Sequence, residues 1–295
     1  TSGGMTVDEL AERYFKHKAP DVTERTLSDY RRDYDNWIKP WFGASVADYV
    51  DEVEVQDWVD HMKTKLDAKT LKGHYVLLGA IYRFGAARTR KLVNNNPCQD
   101  IELPKLKKKA PRGFSLAEWR QFHAANIDRH PDAADLAFFL VLTGWRWSEA
   151  AALPVGAVED YGDQMFVAVT QVNRRDASLK FVIVRGEAKT YESLRRIEVT
   201  PATAALIRRR IHGKAPADLV FTNASGRPWR QQNFLNRTWT AMLEAAGMPS
   251  EGEGRHTPHA LRHTHVLFMD RAGASLPQMS RRLGHSNVQT TINRY

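Results

Sequence analysis

The chain has a single cysteine in 295 residues, Cys98, so no disulfide can close within it and no thiolate cage can hold a metal. This usage fits a reducing cytosol. No apolar run is long enough to span a bilayer, and the opening TSGGMTVDEL lacks the basic-then-apolar order of a signal peptide. A soluble, cytoplasmic protein is expected. There is no P-loop and no GxGxxG at a strand-to-helix turn, which leaves nucleotide hydrolysis without support. Acidic residues are in deficit, 34 Asp and Glu against 43 Lys and Arg, for a net charge of +9. An anionic partner follows, nucleic acid first and an anionic membrane surface second, and charge alone decides neither.

What is present divides into an aromatic helical part and a mixed part. Thr6 and Glu9 have the form of a capping box, with Val7, Leu10, Ala11, Tyr14 and Phe15 at helical spacing behind them. Further helices are expected from about Thr26, carrying Leu27, Tyr30, Tyr34, Trp37 and Ile38 on one face, to Pro40 and Gly43; from Val55 to Leu66; and from about Thr70 to the NNNP at 94–97. Their aromatic stripes are most simply core. Residues 1–102 therefore read as a four-helix bundle, and its bases, such as Lys69, Lys72, Arg88 and Arg90, suit a phosphate backbone or form a merely solvated face. Residues 103–114, LPKLKKKAPRGF, hold two prolines, a glycine and five cations, Lys105, Lys107, Lys108, Lys109 and Arg112, without apolar periodicity. This is an extended linker. It is either a solubilising hinge or, since each neutralised phosphate releases counterions, a clamp lying along a duplex.

Residues 115–295 read as a second domain, and the whole chain as mainly α with a small antiparallel sheet, an α+β fold. Ser115 and Glu118 form another capping box, and the apolar helix from about Ala133 to Thr143 stops at Gly144. Arg146 then stands at a turn before a new helix carrying Glu149, either as a structural pair for that carboxylate or facing a ligand. The segments 164–172, 178–186 and 195–200 are rich in β-branched and aromatic residues and predict a three-stranded antiparallel sheet. Lys189 falls in or near a hairpin between the last two. Helices are expected at about 202–210, 231–246 and around His259, with a terminal helix or turn from about Val288.

Cutting a phosphodiester without a metal sets requirements that these residue types meet. Arginine forks bind the nonbridging oxygens bidentately, which a lysine cannot reproduce, and Arg146 and Arg262 are the candidates. A tyrosine phenol attacks at neutral pH only beside a basic group or in a strong positive field, and Tyr295 has His259, His285 and the arginines on offer. Lys189 could protonate the departing sugar oxygen. A zinc reading of His259 and His263 fails because Ala260 stands where a metalloprotease helix has glutamate, and Arg262 between the histidines would repel a cation. His263 and His265 read as structural.

With these residues in view, the chain resembles the tyrosine recombinases, and within them the bacteriophage integrases. TGWRWSEAAAL resembles the family's first arginine box, AKT at 188–190 its hairpin lysine, HALRH its histidine-and-arginine box and LGHSNVQTTINRY its closing box. Each box alone is moderately specific; together, in order, they cover nearly the whole chain. The resemblance implies that Arg146 and Arg262 bind the scissile phosphate, His259 assists proton transfer, and Lys189 protonates the leaving 5′ oxygen. It implies further that His285 bonds the phosphate, Tyr295 forms a 3′-phosphotyrosyl link, and Glu149 supports Arg146. No metal, cofactor, ATP or membrane is implied. The implied partners are double-stranded DNA attachment sites, a homotetramer on synapsed DNA passing through a Holliday junction, and accessory host or excision factors. The expected function is strand exchange between a phage or mobile element and a chromosome. The alternatives are a dimer resolvase, a type IB topoisomerase-like enzyme, or a catalytically silent DNA-binding protein of the same fold. Family members usually continue beyond the nucleophile into a tail, and many phage integrases carry an arm-binding domain before the first helix. A fragment trimmed at both ends is therefore expected.

Overall fold

In the computed structural model, which describes residues 4–106, 112–176, 180–185 and 195–284, Thr6 opens helix α1 (Val7–Lys18) as a complete capping box. Its hydroxyl accepts from the Glu9 N–H, and the Glu9 carboxylate accepts from the Thr6 N–H. Helix α2 (Glu24–Asp33) continues through a π-helical turn at Tyr34–Ile38 into α3 (Lys39–Phe42), where the Lys39 N–H reaches back five residues to the Tyr34 carbonyl. A turn widened in this way displaces a backbone carbonyl from the helical ladder. Here the Trp37 carbonyl accepts from the buried Trp58 indole at 3.1 Å. Helices α4 (Glu52–Lys63) and α5 (Ala68–Ala86) start where Asp51 and Asp67 accept from their first backbone N–H groups. The four-helix reading holds, and the aromatic stripes are core: Phe15, Tyr34, Phe42, Trp58 and Tyr82 are all buried in one cluster.

The described residues fall into two compact units that divide close to residue 108, and residues 101–106 and 112–114 have no regular structure. In the second unit α6 (Leu116–Asn126) begins with the expected Ser115–Glu118 capping box. Helix α7 (Pro131–Thr143) is buried almost all round, and the short α8 (Trp147–Ala150) follows it. After the strands come α9 (Pro201–Ile211), then α10 (Gln231–Asn233) running through a second π-helical turn at Phe234–Trp239 into α11 (Thr240–Ala245). The Leu235 carbonyl in that turn accepts from Arg255 at 3.2 Å. Helices α12 (His259–Arg271) and α13 (Leu276–Leu283) close the described part. No helix among the described residues is long and apolar enough to cross a membrane.

The sheet corrects the expectation. The segment 164–172 is not one strand: β2 (Met165–Ala168) lies between β1 (Val158–Asp160) and β5 (Arg196–Glu198), whereas β3 (Gln171–Arg175), among the described residues, pairs only with β4 (Phe181–Arg185). The pairing partner changes within three residues, since Ala168 sits opposite Arg196 and Gln171 opposite Arg185. Two polar side chains explain the split. Gln171 and Asn173 are buried and donate to the carbonyls of Ala152 and Trp229, both at 2.7 Å, which ties β3 to other parts of the unit. Strand β1 was missed because three residues, two of them acidic, carry no apolar alternation.

Candidate active site

Because α7 is buried, water cannot satisfy the carbonyls at its C-terminal end, and side chains of α12 and α13 take them instead. His265 donates from Nδ1 to the Val141 carbonyl at 2.8 Å, Arg282 donates to Leu142 at 3.2 Å, and Arg262 donates to Gly144 at 2.6 Å. Cations are favoured there by the negative end of the helix dipole. Gly144, in the left-handed region at φ +67°, makes the stop that the sequence predicts. A Cβ at this position would lie 2.4 Å from Cδ2 of His265, so both the backbone and the space require glycine.

Past Gly144 the chain turns through buried Trp145 to Arg146, which is extended and opens α8. The Glu149 carboxylate accepts from the Arg146 backbone N–H and from its guanidinium, each at 2.8 Å. The same carboxylate is held by Arg195 at 2.8 Å, and Arg195 donates from Nε to the Arg282 carbonyl at 2.9 Å. Arg262, through its other terminal nitrogen, donates to the Leu283 carbonyl at 2.7 Å. The C-terminal ends of α7 and α13 are thereby tied into one arginine-rich network: Arg146 and Arg195 pair with the buried carboxylate of Glu149, while Arg262 and Arg282 hold backbone carbonyls at the helix ends. An excess of fixed cations held by backbone carbonyls is an arrangement for binding an anion.

The structure brings together Arg146, Glu149 and Arg262 from the expected set. Arg262 is 2% exposed, whereas the Arg146 side chain is paired with Glu149, as the first reading has it, and is 41% exposed even so. His259 is exposed in the first turn of α12, with its ring edge-on to that of His263 at 4.8 Å. Lys189, His285 and Tyr295 lie outside the described residues, as do Lys107, Lys108 and Lys109. Lys105 is exposed, and Arg112 is ion-paired with Glu118 at 2.5 Å.

Two members of the cluster, Arg195 and Arg282, were not singled out from the sequence. For Arg195 a signal was present. It shares the period-two face of Ile197 and Val199, all three buried, while Arg196 and Glu198 alternate outward. A cation on the apolar face of a strand needs a buried anion, and Glu149 is that anion.

Burial would raise the Glu149 carboxyl, but Arg195 and then Arg146 hold it below the usual range. His265 moves the other way for a histidine: burial, then the positive charge of Arg282, Arg262 and Arg195, pushes it down to about 3. Its Nδ1 faces a carbonyl and so carries the proton of the neutral ring. In the unfolded chain the ring takes up a proton near its ordinary value of about 6.5, whereas in the folded chain it does not. Its contribution to stability is therefore complete above pH ~6.5 and is lost as pH falls from there toward 3, by up to about 1.4 kcal/mol per unit. His74, His123 and His256, each lowered chiefly by burial, act in the same direction. Urea midpoints at about pH 5.5 should fall well below those at about pH 7.5, a window in which the lowered carboxyls do not titrate. Equal midpoints would contradict the buried neutral histidines.

This fold matches that of known proteins. The phage integrase family model matches residues 121–295, and the model of the phage integrase N-terminal SAM-like domain matches residues 6–63. The chain belongs to the phage integrase family of tyrosine recombinases, the site-specific DNA recombinases. It is 26% identical over 294 residues to tyrosine recombinase XerC of Lactobacillus delbrueckii subsp. bulgaricus, covering 97% of this chain and 92% of the relative. It is 25% identical over 229 residues to XerC of Bacillus subtilis, covering 77% and 69%. Among solved structures, the Tn1549 transposon integrase in complex with a circular intermediate DNA superposes with a TM-score of 0.83 at 20% identity, over 99% of this chain and 95% of that one. A lambda integrase dimer bound to a COC′ core site gives 0.73 at 14% identity, over 97% of each.

Proposed function

We propose that this recombinase cuts and rejoins duplex DNA through a 3′-phosphotyrosyl intermediate on Tyr295, exchanging strands between a phage or mobile element and a chromosome. The observation that carries the reading is the joining of Arg146 and Arg262 at the end of α7, with Glu149 behind Arg146 and the arginines outnumbering the buried carboxylate. In the reaction the Tyr295 oxygen attacks phosphorus and the bond to the 5′ oxygen breaks. The phenolic proton passes to a base, His259 in this reading, and Lys189 protonates the departing 5′ oxygen. Arg146, Arg262 and His285 bind the nonbridging oxygens as their charge grows. The phosphotyrosyl link keeps the phosphodiester energy, so a 5′ hydroxyl from another strand reseals it with no cofactor.

The duplex is held by residues 1–102 as a core-binding domain, by the linker at 103–114, including Lys105, Lys107, Lys108, Lys109 and Arg112, and by residues 115–295. An open cleft of about 590 Å³ in the second unit supports the duplex reading, because its wall carries exposed Arg129, Arg227, Arg230 and Arg237. Among the described residues none of these four is ion-paired. Two synapsed sites recruit four copies, as a Holliday-junction route requires, with accessory host or excision factors setting direction, in the host cytosol.

The test is a nicked suicide duplex carrying the cognate site, selected from random duplexes. A covalent adduct is expected, and Tyr295→Phe should abolish it. An adduct that persists in Tyr295→Phe overturns the assignment. Site-independent relaxation of supercoils would point to a topoisomerase, and tight site-specific binding without any adduct to a silent clamp.

A further inference from the structure

We propose that Arg195 is a positioning residue for strand cleavage, which keeps the Arg146 guanidinium available to phosphate by occupying the Glu149 carboxylate and tying it to the end of α13. The proposal rests on the cleavage reading above. Its basis is geometric. Arg195 is buried, with its side chain 6% exposed, and its guanidinium lies 5.5 Å over the Trp145 ring. It meets both Glu149 oxygens, at 2.8 and 3.4 Å, while its Nε holds the Arg282 carbonyl. The backbone of Gly284 lies directly against it: a Cβ there would come within 2.9 Å of the guanidinium, and Gly284 has φ +64°. The residue after Gly284 is His285.

The consequence is electrostatic. Glu149 lies between two guanidinium groups, one buried and one partly open to solvent. With the two terminal nitrogens of Arg195 on the two Glu149 oxygens, Arg146 reaches the carboxylate through one terminal nitrogen and keeps the rest of its fork for a ligand. With Arg195 gone, the only described guanidinium left to Glu149 is Arg146. The carboxylate would then turn onto it as a fork-to-fork pair and cancel its charge. A buried pair need not be kept for stability, since apolar replacements of similar size are often neutral. The geometry gives this one a different use.

The test measures single-turnover adduct formation on the nicked suicide duplex, with duplex affinity and melting temperature measured in parallel. Arg195→Met should slow cleavage by about a hundredfold while duplex affinity changes by less than about threefold. Adding Glu149→Gln to Arg195→Met should then restore cleavage by about tenfold or more, because the carboxylate that quenches Arg146 is gone. A purely structural role predicts the double variant to be as slow as the single or slower. Arg195→Met within about threefold of the unsubstituted rate, or a double variant no faster than the single, overturns the proposal. Should Arg195→Met fail to fold, Arg195→Lys keeps the charge but loses the two-point grip, and an unchanged rate for it overturns the proposal equally. If the unsubstituted chain forms no adduct on the duplex, the cleavage reading itself falls.

Discussion

Arg262→Ala is expected to lower both stability and strand cleavage. The guanidinium is buried and bridges the Gly144 and Leu283 carbonyls at 2.6 and 2.7 Å. Alanine leaves both acceptors buried without these donors and opens a void between α7 and α13. Unmet buried acceptors cost about 1–3 kcal/mol each, so a loss of roughly 3–5 kcal/mol is expected. For a unit of this size the melting temperature should fall by roughly 10 °C. Cleavage should fall by at least about a hundredfold, as when a fixed donor is removed from a developing oxyanion. The two effects separate in Arg262→Lys, which keeps the charge and one bond: stability should recover in part and cleavage hardly at all. Thermal melts and adduct kinetics on the same samples decide it, and a lysine variant with near-normal cleavage would remove Arg262 from the phosphate site.

Glu149→Ala carries the second large effect, and it should be thermodynamic before it is catalytic. The carboxylate offsets two guanidinium groups, but unequally. Arg146 is partly exposed, so its share is screened by solvent and small. Arg195 is buried with Glu149, and removing one partner of such a pair leaves a desolvated charge worth about 3–5 kcal/mol. Glu149→Gln, which keeps the shape and one acceptor, should cost less than Glu149→Ala. Because the carboxyl is held below its usual range, acid should not mimic these variants until pH drops under about 4.5. Chemical denaturation of the three proteins near neutral pH is the measurement. An alanine variant as stable as the parent would show that the Arg195 charge is met in another way.

Much of this site could be read before its geometry was known, and the unread parts have physical causes. Capping boxes at Thr6 and Ser115, the largely apolar α7 and the stop at Gly144 are local signals, and they stand in the structure at those positions. His265 also keeps its structural reading. The strands failed where local pattern and pairing part company. Met165, Val167 and Val169 alternate smoothly into Gln171, yet the hydrogen-bonding partner changes between them. Nothing in a single strand's alternation encodes which neighbour it meets. Helix α13 carries its own local signals: Ser275 and Gln278 form a capping box, a proline stands in its first turn, and Gly284 ends it in the left-handed region. Arg282 could not be found this way, because its partners are backbone carbonyls on other elements, and a carbonyl leaves no mark in a residue pattern.

The two π-helical turns, at Tyr34–Ile38 and Phe234–Trp239, bear on how chain length can vary. Such a turn holds one residue more than the α-helical turns on either side. Deleting one residue within it would let the helix close regularly while the apolar faces before and after stay in phase. The same deletion anywhere else in either helix would rotate every later side chain by about 100° and carry core aromatics toward solvent. What such a deletion gives up is confined to one displaced carbonyl and its side-chain donor, Trp58 in the first unit and Arg255 in the second. Each unit therefore holds one position inside a core helix where an insertion has already been absorbed.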